Sequence, residues 1–416
     1  MSKMRTILIF LALAANLASG QSEKPQPAFG ISFTGFIKTD VIYDSRQTTS
    51  TREGHFLLFP KGELLDLAGQ DINSAANFNI LSVQTRLAGN VTGPDALKAK
   101  TSGLIEGEFF GTADGDTNGF RLRHAYVKLN WKTSELMIGQ SWHAMFITDC
   151  YPDVVSFNTG APFQPFSRAP QVRFTQAFGK LSLIATALSQ RDFASNGPEG
   201  VSSVYLRNAA RPEFNLKAQF ASRNEKAGTE TLLGLGVDAM RIAPRQMTEA
   251  GFKTDELIDG IAIMAYGKRR MPGWMIKAEA VFGQNLHHLT MLGGYGVERV
   301  LDPDRRTQKY TPLDTWSFWA EAQTNGTRWQ AGLFGGYARN LGARHVMTGP
   351  AYARGADICD VIRVSPRLIY NSSKLRLAVE VEMTSAGYGT PDVMGDVRNA
   401  RTVSNVRLLL ATYYFF

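Results

Sequence analysis

From about residue 31 to the C-terminus, apolar and polar residues alternate with period two in segments of about 10–13 residues. Successive side chains of a strand point to opposite faces, so each segment predicts a strand with one apolar and one polar face. In Lys374–Thr384, Leu375, Leu377, Val379, Val381 and Met383 share one face, and Arg376, Glu380 and Glu382 share the other. The preceding segment sets Ile362, Val364, Pro366, Leu368 and Tyr370 against Arg363, Ser365 and Arg367. Pro366 cannot donate to a ladder, so it demands a bulge or a missing bond there. The same rule puts Leu81, Val83 and Leu87 on one face and Ser82, Gln84 and Arg86 on the other.

Sixteen such segments start near residues 31, 77, 99, 120, 135, 170, 180, 211, 230, 259, 272, 313, 327, 360, 374 and 404. Connectors alternate between short (132–134, 178–180, 325–326, 371–373) and long (45–76, 147–169, 191–210, 284–312, 340–357, 386–403). Tight turns at one end and long loops at the other describe an all-β, sixteen-stranded antiparallel transmembrane barrel. A strand count of this size leaves an aqueous lumen, and closure pairs the first strand with the last. Val406, Leu408, Leu410, Tyr414 and Phe416 fall at alternate positions up to the chain end, as an aromatic-girdled closing strand would. The alternative is an exported soluble β-sandwich or propeller, as a binding protein or hydrolase. The charged polar faces, long strands and unequal connectors speak against it.

The N-terminus differs in kind. Lys3 and Arg5 precede a short apolar core, Ile7–Ala15, and Ala18-Ser19-Gly20 is a small-residue cleavage site. Residues 1–20 therefore read as a signal peptide, 21–30 as a short extension and 31–416 as the pore domain. The longest unbroken apolar stretch beyond that leader, Ile261–Tyr266, is far below the roughly 20 residues of a spanning helix. Net charge is +8 over 416 residues, with the basic residues scattered singly, so a nucleic-acid partner is not indicated.

The polar faces are then the functional inventory, because rings of charge in a low-dielectric wall select permeant ions. Arg86, Lys128, Arg173, Lys217, Arg363, Arg367 and Arg376 supply positive charge. Glu106, Glu108, Asp238, Glu279, Glu321, Glu380 and Glu382 supply negative charge. For each, the competing reading is a structural cross-strand ion pair; Arg363 and Arg367 face Glu380 and Glu382 on the next strand. The loop at 147–169 is long, apolar and aromatic with three prolines, which fits a constriction folded into the lumen. Its acidic members, Asp149 and Asp153, join the candidate pore residues. The competing reading is a loop packed on its neighbours or on another subunit.

Gly35-Phe36-Ile37-Lys38-Thr39-Asp40, Phe120–Val127, Gly139-Gln140-Ser141-Trp142 and Arg168–Phe174 occur in an order that resembles the DcaP-like trimeric porins of Gram-negative outer membranes. That resemblance implies a homotrimer in outer-membrane lipid, inserted by the barrel-assembly machinery through its terminal Phe. It also implies passive uptake of small, often anionic solutes such as dicarboxylates. It places pore-lining arginines at Arg168 and Arg173, which suit carboxylates because guanidinium binds them bidentately. Arg123 breaks the alternation, so either a bulge turns it inward or it lies at a rim or subunit interface.

Other signals are weak. Asp114–Gly119 matches the start of a Ca²⁺ loop, but position twelve is Ala125 where a Glu belongs. Cys150 and Cys359 are an even pair that could form a disulfide in an oxidising compartment. Nucleophile-elbow, zinc-protease and phosphate-loop motifs are missing, so neither an enzyme, a metal nor a cofactor is expected.

Overall fold

A computed structural model describes residues 29–416. The proposed leader and residues 21–28 lie outside the described residues.

Sixteen strands form one closed antiparallel barrel. In order they are Gly30–Asp44, Asn77–Leu81 continued by Arg86–Thr92, Lys100–Glu108, Arg121–Asn130, Ser134–Trp142, Arg168–Phe178, Leu181–Leu188 and Glu213–Asn224. The second half comprises Thr229–Ile242, Ile258–Arg270, Trp274–Gln284, Thr307–Thr324, Trp329–Ala343, Ile358–Ser372, Leu375–Pro391 and Val397–Phe415. Each pairs with its sequence neighbour, and the first pairs with the sixteenth from Phe36↔Phe415 to Asp44↔Arg407. Mutual bonds between the Gly35 and Phe416 backbones complete the seam. Among the described residues the barrel wall itself has no free edge to template another chain.

Seven turns lie at the end that holds the chain terminus (93–99, 131–133, 179–180, 225–228, 271–273, 325–328 and 373–374). Eight loops lie at the other end: 45–76, 109–120, 143–167, 189–212, 243–257, 285–306, 344–357 and 392–396. Expected strand starts agree within about two residues except where strands outgrow their apolar stretch. The twelfth begins at Thr307 and the sixteenth at Val397, so the eighth loop is a tight turn rather than the long connector expected. Three short pairings were hidden in the expected loops. A hairpin, Thr48–Thr51 with Phe56–Pro60, sits in the first loop. Gly293–Asp302 and Ala351–Arg354 build a small sheet on the protruding end of the twelfth strand.

The outer face carries the apolar set of each strand: Phe33, Ile37, Leu216, Leu235, Ile263, Leu333, Leu368, Leu377 and Leu410 are all exposed. The inner face carries Lys38, Asp40, Glu108, Lys217, Glu279, Glu380, Glu382 and Arg407, all buried inside the barrel. Pro366 points outward, and the rungs at Ser365 and Pro366 are missing from the ladder to the next strand, as its lost N–H requires.

Two irregularities reset the alternation. Between Leu81 and Arg86 the second strand is interrupted, and the parity slips by one. Leu81 and Val83 are therefore buried inside while Leu87 is exposed outside, which separates three residues expected on one face. A register shift between Glu106 and Gly107 opposite His124 and Leu122 leaves Arg123 bulged and turned inward. Nearby Gly139, at φ +135, allows the Ala125 carbonyl to approach where a Cβ would collide with it.

Candidate functional site: the barrel lumen

The third loop, 143–167, runs through the barrel interior and is anchored by the polar faces of strands all round the wall. The Val155 and Ser156 amides donate to Glu380 at 2.6 and 3.3 Å. Asn158 Nδ2 donates to Glu382, and the Asp153 amide donates to Glu321. Lys38, Lys217 and Lys277 donate to the carbonyls of Val155, Ala144 and Tyr151. Charged side chains thus satisfy the backbone of a loop that has no ladder of its own. Its aromatic residues, Phe146, Phe157, Phe163 and Phe166, form the centre of the interior apolar cluster.

The first loop enters the lumen as well, which the sequence reading did not anticipate. Phe56, Leu57, Leu58 and Phe59 of its hairpin are fully or almost fully buried. Phe56 packs against Phe157, Phe166 and Phe193. Arg363 grips both loops: its guanidinium donates to Ala161 O of the third loop at 2.6 Å and to Leu58 O of the first at 2.7 Å. Arg407 pairs with Asp44 at 2.7 Å and donates to Gly54 O.

The candidate residues separate into groups. Arg86, Glu106, Glu108 and Arg168 come together with Arg121, Arg123 and Asp192 in one interior network. Glu108 lies 3.2, 2.7, 2.7 and 3.8 Å from Arg86, Arg121, Arg123 and Arg168. Arg168 pairs with Asp192 at 2.7 Å. Burial raises the Asp192 carboxyl, but Arg168 and Arg121 outweigh it and hold the group below its ordinary value. Four guanidiniums meet three carboxylates here, so the network keeps one surplus positive charge.

The remaining candidates lie apart from this network. Arg173 is half-buried and donates to Trp142 O. Lys128 pairs with Glu135 near the turn end at 3.0 Å. Arg363 pairs with Glu382, but Arg367, although opposite Glu380 in register, pairs instead with Glu321 at 3.2 Å. Glu380 is occupied by the third loop. Asp149 is exposed, and Asp153 is half-buried and pairs with Lys277 at 2.6 Å. Arg121, Asp192 and the Arg407–Asp44 pair were missed; Arg407 between Val406 and Leu408 was the signal for the last.

Below the third loop, toward the turn end, opens a vestibule of about 580 Å³. Arg86, Arg123 and Arg376 line it against Glu106 and Asp153. Its aromatic wall includes Trp142, which stacks on Phe146 at 3.9 Å and has the Arg123 guanidinium 5.5 Å from its ring centroid.

Two weaker expectations are resolved. Cys150 and Cys359 are separate free thiols, and Cys150 donates to Gly267 O. The Asp114–Gly119 segment is a self-bonded turn: Asp116 accepts from Thr112, and Asp114 accepts from the Arg52 amide.

No family model and no curated protein matches the chain. Solved structures do. The outer membrane channel DcaP of Acinetobacter baumannii is similar with a TM-score of 0.71 at 16% identity, over 96% of this chain and 100% of that one. OmpT, an outer-membrane protein of Vibrio cholerae, gives a TM-score of 0.53 at 13% identity, over 95% and 99%. A trimer form of OmpT gives 0.54 at 12% identity, over 94% and 100%. With its closed sixteen-stranded barrel, the chain shares the DcaP-like porin fold.

Proposed function

We propose that this chain is an outer-membrane channel for passive diffusion of small hydrophilic solutes, with a mild preference for anions such as dicarboxylates. The observation that carries it is the closed barrel whose exposed outer face is apolar while its inner face is charged. Closure pairs the wall's N–H and C=O groups without water, apart from the missing rungs at Ser365 and Pro366 and the local bulges, which is what hydrocarbon demands. The loops then face the outside and the seven turns the periplasm, reached by export and removal of residues 1–20. Lipid covers the outer face, and a homotrimer is the working form; one of the similar structures is itself a trimer.

In this reading the third loop is the constriction and the first-loop hairpin a second narrowing above it. Arg86 and Arg123 present positive charge to solutes entering or leaving the vestibule, with Glu106 and Asp153 as partial counterweights. Arg168 and Glu108 set the charge of the wall behind them. Arg173 adds positive charge midway along its strand, while Lys128 is offset by Glu135 near the turn end. Arg363 and Arg367 hold the constriction in place, and Asp149 lies at its exposed start. Reversal potentials across a KCl gradient test the anion preference. The expected sign is chloride-selective, and Arg86→Ala with Arg123→Ala reduces it; a potassium-selective wild type overturns the preference.

A further inference from the structure

His143 opens the third loop, Glu213 opens the eighth strand, and His288 lies in the sixth loop. These three residues, distant in sequence, converge on one point. Glu213 Oε1 lies 2.9 Å from His143 Nε2 and 3.0 Å from His288 Nε2. All three donor atoms fall within 4.8 Å of one another, and each residue is at most 2% exposed.

We propose that His143, Glu213 and His288 form a binding site for one divalent transition-metal ion of the zinc class. An ion about 2.0–2.2 Å from each donor sets its ligands roughly 3 Å apart, the spacing of both Glu213–His pairs, and the two Nε2 atoms lie within 4.8 Å of each other. Two imidazoles and a carboxylate favour zinc, cobalt or nickel over magnesium or calcium. Glu213 Oε2 accepts no hydrogen bond from an N–H or a hydroxyl and lies beside the Asp238 carboxyl, a second acid at the site. His288 Nδ1 has no partner, so it can take the ring proton while Nε2 exchanges its hydrogen bond to Glu213 Oε1 for the metal. At His143, metal on Nε2 likewise replaces the bond to Glu213 and moves the ring proton to Nδ1, where the Met145 amide now donates at 3.2 Å and must turn away. The metal–ligand bonds replace the two Nε2–Oε1 hydrogen bonds, and the Met145 contact is the further cost. The ion would staple the constriction loop and the sixth loop to the wall. Nothing in this site depends on whether the barrel conducts.

The experiment uses the full chain folded in detergent with Zn²⁺, or Co²⁺ as an optical probe, present during folding. After desalting, metal is counted by mass spectrometry. The expected result is one Zn²⁺ per chain and visible Co²⁺ absorption of tetrahedral strength. Glu213→Gln and His288→Gln reduce retention at least about tenfold. His287→Gln, whose ring instead meets Ala194 O, retains metal like the wild type. Wild type without retained Zn²⁺ and without Co²⁺ bands, which needs no variant to fold, overturns the site. Equal retention by wild type and His288→Gln overturns it too, leaving His143, Glu213 and His288 a hydrogen-bonded cluster only.

Discussion

Replacing Arg363 by Ala removes a side chain that holds both inserted loops to the wall. Its guanidinium donates to Ala161 O, Leu58 O and Thr384, pairs with Glu382 at 2.9 Å and covers the Phe163 ring. A hydrogen bond to a charged group contributes about 1.5–3 kcal/mol. These contacts share one group and do not add, and breaking a buried pair costs about 3–5 kcal/mol in total. That cost falls on the docked loops, because the backbone ladder from Gly336 through residue 363 to Thr384 is untouched. At about 1.4 kcal/mol per decade, the undocked population rises from roughly 10²-fold to a few times 10³-fold. Single-channel recordings of Arg363→Ala are expected to show larger and noisier open levels than wild type. Trypsin is expected to cut after Arg52, which the docked first loop buries. Arg363→Lys, which keeps the charge but not the fork, falls between the two. An unchanged open level together with an intact Arg52 bond would refute the clamp.

Three other outcomes follow from the same geometry. Glu108→Gln leaves the surrounding arginines facing fewer carboxylates, so the reversal potential moves toward stronger chloride selectivity; no movement means the network is screened from the permeation path. Replacing residues 48–60 by a short Gly-Ser link opens the upper narrowing, so conductance rises with the barrel still folded; an equal conductance places the hairpin outside the path. Burial pushes the Cys150 thiol up to about 12, so at pH 8 it stays protonated and unreactive, and alkylation should label it only in denaturant while half-buried Cys359 reacts first. Labelling of Cys150 in the folded protein, or two thiols resistant even when unfolded, contradicts this.

The wall was legible because lipid and water impose a two-residue period that single side chains carry. Leu375–Met383 announce their strand without help from any neighbour. The loops were only partly so. Prolines and aromatics gave away the third loop, since a solvated connector has no use for them. The first-loop hairpin hides its role because Phe56–Phe59 is a brief apolar run whose partners lie 100 residues or more away, in Phe157, Phe166 and Arg363. Arg123 was left open and Leu81 was put on the face of Leu87 because bulges are set by pairing register, which no single strand encodes. The charged candidates were found as residues but not as partners. Arg367 pairs across to Glu321 because the inserted loop claims Glu380, a competition visible only once the loop is in place.

The central claim is a water path through a sealed wall, and planar-bilayer recording of the detergent-folded protein tests it most directly. Stepwise insertion of ion-conducting units, with levels that grow when residues 48–60 are removed, is the predicted result. A correctly folded barrel that inserts but passes no ions, before or after that removal, would contradict it.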